Sequence, residues 1–239
     1  MKDLVKSLIR RAGYELKKYS PASSEHALMK KILFSKNIDL IIDIGANTGQ
    51  YGNSLRKLGY KGNIISFEPM KKAYAKLEHL SEKDGKWNCF NYAIGNENGE
   101  IEINVANNSY SSSILGIHQN HLSAAPDSKY IDKEKIKIKT LAEVVSSQTI
   151  TSFHSILLKI DVQGYEMEVI KGAEPILPYM NVIQMELSLV PLYEHGPLFK
   201  DMLLKMESLE FSLFNFTPEF FNADDGRMLQ VNGFFVNNN

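Results

Sequence analysis

Four acidic residues stand where a carboxylate can do chemistry: Asp43, Glu68, Asp161 and Glu186. Each closes a short apolar run: Leu40-Ile41-Ile42, Ile64-Ile65-Ser66-Phe67, Ile156-Leu157-Leu158 with Lys159-Ile160, and Val182-Ile183 with Gln184-Met185. Such runs read as buried strands, and in an open α/β sheet ligands sit beyond the carboxyl ends of the strands. The four acids are therefore expected around one crevice. A carboxylate there can receive a cation, accept the paired hydroxyls of a ribose, take a proton from a hydroxyl or hold a metal ion.

The first acid sits in Leu40-Ile41-Ile42-Asp43-Ile44-Gly45-Ala46-Asn47-Thr48-Gly49, a strand that turns through two glycines into a helix. A pyrophosphate needs bare backbone N–H groups at a helix N-terminus, and Asp43 beside them would repel it. The glycine spacing also departs from G-x-G-x-x-G. S-adenosylmethionine carries an ammonium and a sulfonium and no phosphate, so the loop suits that methyl donor before NAD. Gly45 and Gly49 let the backbone approach the donor, and Asn47 can bond the loop. Glu68 is placed to accept both ribose hydroxyls, with Pro69 fixing the turn beside the adenine.

The elements that position these acids alternate. A helix near 25–35 precedes the strand Asp39–Ile44, and a helix at about 49–58, with Tyr51 on its apolar face, ends at Gly59. A second strand and a helix at 70–80 follow, then a strand Asn88–Ile94, which Asn98-Gly99 is expected to join to Glu100–Val105 as a tight hairpin. Strands at Ile156–Ile160, Val182–Glu186, Phe211–Phe216 and Gln230–Val236 complete a doubly wound, mostly parallel, seven-stranded sheet with an antiparallel edge. Trp87, Phe211, Phe214 and Phe216 are expected in the core. A candidate lid, partly helical, spans about 106–135 and includes His118 and His121, spaced for one helix face. Residues 1–24 are expected to form an N-terminal amphipathic helix and linker, and 25–239 the main domain.

At 239 residues and 44% hydrophobic, the chain can bury a full core. A net charge of −1 and a pI near 6.6 argue against nucleic acid as partner, and no Asn/Asp-Pro-Pro-aromatic motif follows Asp161. The single Cys89 excludes a disulfide framework within the chain and fits a cytoplasmic location. No apolar run is long enough to span a membrane. Residues 2–19 carry Val5, Ile9, Ala12 and Leu16 at helical spacing with Lys2, Lys6, Arg10, Arg11, Lys17 and Lys18 on the other faces. That pattern suits peripheral membrane contact, or a cap on the main domain or on a second subunit of a homo-oligomer.

The whole set of motifs resembles the FkbM family of S-adenosylmethionine-dependent methyltransferases. The resemblance rests on Ile42 to Gly49, Phe67-Glu68-Pro69, Asn91 to Gly95, Ser111-Ser112-Ser113, Lys139-Thr140-Leu141, Leu158 to Glu166 and Gln184-Met185-Glu186, in order. It implies a Rossmann-like class I fold and O-methylation of a sugar, glycan or related small molecule. It also implies a donor site of Asp43, Gly45, Ala46, Asn47, Gly49, Tyr51, Glu68, Pro69 and Ala93. Gln163 departs from the family, which often has Glu there, and Ala142-Glu143 stands where an Asp is common.

Asp161, Glu186 and His195 are the candidate catalytic residues. Asp161 faces the acceptor by position, as general base, as acceptor-positioning group or, with Glu186, as a ligand to Mg2+. Its structural alternative is a cap on the following helix. His195, in a loop after the fifth strand, is a candidate base. The competing classes are an NAD-type oxidoreductase and a donor-binding scaffold without catalysis.

Overall fold

The computed structural model describes residues 2–145 and 147–238. The chain divides into two compact units, Met1–Asn37 and Ile38–Asn239. The first holds α1 (Lys2–Arg11) and α2 (Glu25–Ser35). The helix expected over 2–19 is therefore shorter. Gly13 takes a left-handed backbone (φ 82°), and the N–H groups of Ala12, Gly13 and Tyr14 turn back onto Leu8, Ile9 and Arg10, so the helix stops there. α2 is opened by Ser24, whose Oγ accepts from the Ala27 N–H at 3.4 Å. It groups with the N-terminal unit rather than with the main domain in which the sequence places it.

The second unit runs β1 (Leu40–Ile44), α3 (Gln50–Lys57), β2 (Asn63–Phe67), α4 (Lys71–Ser81), β3 (Trp87–Phe90), β4 (Ala93–Gly95) and β5 (Gly99–Ala106). It continues with α5 (Gln119–Ala124), β6 (Tyr130–Thr140), α6 (Leu141–Val144), α7 (Ser147–Thr151), β7 (Ile156–Ile160) and α8 (Glu166–Ala173). β8 (Val182–Ser188), α9 (Phe199–Ser208), β9 (Phe211–Phe221) and β10 (Met228–Asn237) complete it. Seven strands form the main sheet in the order β3-β2-β1-β7-β8-β10-β9. β3, β2, β1, β7 and β8 are mutually parallel, and the antiparallel β9–β10 pair makes the edge, with β9 outermost. The alternation of elements yields the doubly wound sheet expected of it, and the strand order is that of the class I methyltransferase-like α/β fold that the resemblance implies.

Side-chain alternation divides the central strands between two faces. Ile42, Ile44, Leu158, Ile160, Ile183 and Met185 join a buried cluster with Val169, Ile170, Met202 and Met206 from α8 and α9. Burial of each such side chain contributes on the order of 2 kcal/mol. The alternate residues form a polar row across the sheet. The pairings Cys89–Ser66, Ser66–Asp43, Asp43–Lys159 and Lys159–Gln184 set five consecutive polar residues side by side on five neighbouring strands.

Three expectations are corrected here. The run Asn88–Ile94 is not one strand: β3 stays in the main sheet, and β4 leaves it for a second sheet of order β4-β6-β5. Nor does Asn98-Gly99 close a tight hairpin, because β6 lies between β4 and β5, parallel to the first and antiparallel to the second. Asn98 instead accepts the Thr140 N–H through Oδ1 at 3.0 Å, fastening the far end of β6. The Phe cluster also divides. Trp87 and Phe211 are buried, whereas Phe214 and Phe216 are 53% and 55% exposed on the edge strand, where β9 shifts register against β10.

Candidate active site

Asp43 is fully buried inside β1, its position set by pairing with Ser66 on one side and Lys159 on the other. Lys159 Nζ lies 3.2 Å from Asp43 Oδ1 and 3.1 Å from Asp161 Oδ2, bridging the two acids. The Asp43 contact is an ion pair without hydrogen-bond alignment, which leaves Oδ1 a buried acceptor lacking a donor aimed at it. Oδ2 accepts from Ser66 Oγ at 3.4 Å, and Ser66 Oγ in turn accepts from Trp87 Nε1 at 3.0 Å. Burial pushes the Asp43 carboxyl up and Lys159 pulls it partly back. For Lys159, burial disfavours the ammonium, but Asp161 and Asp43 outweigh it and raise the pKa. Lys159 also donates to the Gly45 carbonyl at 3.3 Å and lies 5.1 Å from the Tyr51 ring centroid. Tyr51 is thereby tied inward, its hydroxyl donating to Gln184 Oε1 at 2.7 Å.

The glycine loop meets a demand of the chain itself. Gly45 has φ 78°, and a Cβ there would stand 1.8 Å from the Asp161 carbonyl oxygen. Gly49 (φ 84°) faces Leu77, Leu80 and Trp87 at 3.1–3.3 Å. Between them, the Gly45 and Ala46 N–H groups both donate to the Phe67 carbonyl at 3.0 Å, tying the loop to the end of β2. Asn47 (φ 48°) donates its N–H to Glu68 Oε2 at 2.8 Å, and its own Oδ1 is buried without a hydrogen-bond partner among the described residues. Glu68 Oε1 accepts from the Met70 N–H at 2.9 Å. Burial pushes the Glu68 pKa up to about 7, against the pull of these two amides. The Glu68 and Pro69 carbonyls are both held by Asn91 Nδ2 at 2.9 Å. Ala93 is buried in β4, paired with Ile138 and packed near Met70 and Ile136.

Across Lys159 lies the second group. Asp161 follows β7 directly and is half-buried. Gln163, in a left-handed backbone (φ 56°), donates Nε2 to Asp161 Oδ1 and to Glu186 Oε2, each at 2.7 Å. Its Oε1 accepts from the Tyr193 hydroxyl at 2.5 Å. Gln230 Nε2 adds a second donor to Glu186 Oε2 at 3.0 Å, and Glu186 Oε1 has no hydrogen bond among the described residues. Burial raises the Glu186 pKa well above the carboxylate range, helped by Asp161, Glu166 and Glu219. Glu166, buried at the start of α8, is pushed up to about 7 by the same cause.

Asp161 and Glu186 do not present the Mg2+ site that the sequence offers as one alternative. The point between them is taken by an amide N–H2, a donor that a cation would oppose. Among the described residues no group of three His, Cys, Asp or Glu side chains could hold a metal ion.

The candidate lid is narrower than 106–135, since β6 begins at Tyr130. Its Ser-rich turn is built into the site: Ser113 Oγ donates to the Gln163 carbonyl at 2.6 Å, and Asn47 Nδ2 donates to the Ser109 carbonyl at 3.3 Å. Further along, His118 and Glu194 donate backbone N–H groups to Leu192 and Gly116. The segment thus reaches from the glycine loop to the 192–194 turn. The two histidines do not share a face. His118 caps α5, accepting from the Asn120 N–H at 3.1 Å, while His121 is buried against Tyr193 and Phe220. His195 is exposed on a turn (φ 61°), with no hydrogen bond to the carboxylate group among the described residues.

The structure therefore brings Asp43, Asp161 and Glu186 into one connected chain, with Glu68 tied to the glycine loop, and leaves His195 apart from it. Lys159 has no role in the sequence reading, Tyr193 figures there only as one of several late-loop residues suited to a hydroxyl-rich acceptor, and Gln163 only as a departure from a pattern. The available signal was a lysine inside an otherwise apolar strand, Ile156-Leu157-Leu158-Lys159-Ile160.

Residues 43–213 match the methyltransferase FkbM domain family. The chain is 27% identical over 168 residues to 2-O-methyltransferase NoeI of Sinorhizobium fredii, covering 68% of each chain. It is 25% identical over 152 residues to hexuronic acid methyltransferase AglP of Haloferax volcanii, covering 62% of this chain and 56% of that one. Among solved structures it is similar to methyltransferase FkbM from Methylobacillus flagellatus KT, at a TM-score of 0.49 and 11% identity, over 82% of this chain and 44% of that one. With the matched span running from Asp43 in β1 to Leu213 in β9, the chain belongs to the FkbM family of methyltransferases.

Proposed function

We propose that this chain transfers a methyl group from S-adenosylmethionine to a hydroxyl of a sugar, a glycan or a related natural product. The observation that carries the reading is the acid-rich chain Asp43–Lys159–Asp161–Gln163–Glu186, which joins the glycine loop to a second carboxylate group. Five acidic side chains (Asp43, Glu68, Asp161, Glu166, Glu186) surround one ammonium, and burial drives four of them towards the neutral form. The site therefore offers acceptors and hydroxyl donors but little to hold a phosphate, whereas a cationic ligand would favour the ionised forms. Asn47 Oδ1 is buried with no hydrogen-bond partner among the described residues, an acceptor that a ligand ammonium or hydroxyl could fill, while Asp43 Oδ1 is held by its ion pair with Lys159. Asp43, Asn47 and Glu68 would hold S-adenosylmethionine, Glu68 at the ribose. When bound, it supplies a methyl group already activated on a sulfonium.

What remains for the protein is to place a hydroxyl and take its proton. Asp161 is fixed by Lys159 on one oxygen and by Gln163 on the other, so it serves as a rigid acceptor for a substrate hydroxyl. Glu186 Oε1 takes no hydrogen bond among the described residues, and because burial favours the protonated form of this carboxyl, its ionised form would hold firmly a proton taken from the substrate hydroxyl. The names of the two relatives, one for 2-O-methylation and one for a hexuronic acid, support an oxygen nucleophile on a saccharide.

Calorimetry tests the donor: heat with S-adenosylhomocysteine and none with NAD is expected, and the reverse result overturns the assignment. Turnover assayed over a panel of sugars, uronic acids and nucleotide sugars tests the acceptor. Asp161→Ala should leave donor binding intact and cut turnover on whichever member reacts.

A further inference from the structure

The N-terminal unit carries a surface that the proposed chemistry does not use. On α1, Val5 and Leu8 are 44% and 56% exposed, and Tyr14, Leu16 and Tyr19 beyond it are exposed too. At 3.6 residues per turn, Val5, Leu8 and Ile9 share one arc of the helix, and Ala12 follows just past its end. Lys6 and Arg10 run along one border of that arc, and Arg11 lies on the other. Lys6, Ser7, Arg10 and Arg11 also line a shallow hollow. Residues 2–19 hold six Lys or Arg against two acids, in a chain whose net charge is −1. Glu15 pairs with Arg10 and Lys17, whereas Lys6, Arg11 and Lys18 have no acidic partner among the described residues.

We infer that α1 is an interfacial helix that docks this methyltransferase on an anionic phospholipid surface. An apolar arc bordered on both sides by long cationic side chains is what a helix lying in the plane of a bilayer requires: the arc enters the acyl boundary and the cations reach the phosphates. Tyr14 and Tyr19 suit the headgroup level, where one end of the ring is apolar and the other wet. The same charge argues against a second copy as occupant, since two such faces would bring like charges together.

Flotation of the full chain with vesicles tests this. Binding to an equal mixture of phosphatidylcholine and phosphatidylglycerol, weak binding to phosphatidylcholine alone, and loss in high salt are expected. Reversing Lys6, Arg10 and Arg11 to Glu together should lower partitioning at least about a hundred-fold, at roughly 1 kcal/mol per cation at the surface. Leu8→Glu should lower it about ten-fold or more, with melting temperatures unchanged in both variants. Failure of the wild-type chain to bind the anionic vesicles, or binding that survives both sets of changes, overturns the proposal. A Leu8-dependent dimer in the ultracentrifuge without vesicle binding would assign the arc to a second copy instead.

Discussion

The two carboxylates on either side of Lys159 are held by different means. Asp43 is inside a strand, 0% exposed, and its place follows from backbone register against β2 and β7. Asp161 is one residue beyond β7 and half-buried, and its second oxygen is set by a side-chain amide from a left-handed loop position. Behind that amide stand Glu186 from β8, Gln230 from β10, Tyr193 from a turn and Ser113 from the long segment after β5. The glycine-loop side is fixed by the sheet, and the acceptor side is assembled from side chains of separate segments. The first should tolerate almost no change, whereas the second can be retuned one contact at a time.

Removing the cation between them tests the rigid side most severely. Lys159→Met leaves Asp43 buried without its ion-pair partner, a loss of about 3–5 kcal/mol for a broken buried pair. The deficit should be deepest at neutral pH. An acid whose folded pKa lies above its unfolded value loses stability as pH rises through the unfolded value, so the variant recovers as pH falls and Asp43 protonates. Urea melts at neutral and acidic pH measure this, and wild-type stability at neutral pH would show that the sheet register does not depend on the pair.

His121 probes the assembled side through pH. It is buried between Tyr193 and Phe220, and burial lowers its pKa to about 4. A buried neutral histidine adds stability that is fully present above the unfolded pKa of about 6.5. That stability drains as pH falls from there towards 4, by at most about 3 kcal/mol. His121→Phe should flatten the slope in this window while leaving the Lys159 effect untouched. An unchanged slope in the variant would mean that another group carries the acid sensitivity.

The same contrast explains what could be read from the chain. Asp43, its glycine turn and Glu68 were legible because strand alternation, the turn and the following helix are local features within one strand–loop–helix unit. Gly59 as a helix stop was legible for the same reason, and its φ of 94° bears this out. Lys159 stood out locally as a lysine inside an apolar strand, but its role was not legible, since such a lysine is explained only by acids on a neighbouring strand and past its own end. β6 was hidden because its exposed lysines mask Ile136 and Ile138, and its partners β4 and β5 lie far back in the chain. Phe214 and Phe216 misled because residue type favours burial while position on an edge strand decides it.

Gln163 sharpens the comparison on the acceptor side. Gln163→Glu places a third carboxylate where an amide donor now stands 2.7 Å from both Asp161 and Glu186. Loss of the shared donor and the new repulsion should cost about 1–3 kcal/mol. The three oxygens would also make a set suited to a hard cation. Added Mg2+ or Ca2+ should therefore raise the melting temperature of the variant and not that of the wild-type chain. Equal responses in the two proteins would refute the reading of Gln163 as the occupant of the space between the acids.

The smallest effect separates the segment after β5 from the carboxylates beneath it. Ser113 Oγ donates to the Gln163 carbonyl and accepts from the Leu115 N–H at 3.0 Å, whereas among the described residues Ser111 bonds only Asn108 and Ser128 within its own segment. Each alanine substitution should cost about 1 kcal/mol, because each removes one buried hydroxyl network. Only Ser113→Ala loosens the backbone that aims Gln163, so only it should raise the KM for the acceptor, with donor affinity unchanged in both. If Ser111→Ala shifts acceptor KM equally, the segment acts on the site as one body. The acceptor side would then be as rigid as the glycine-loop side.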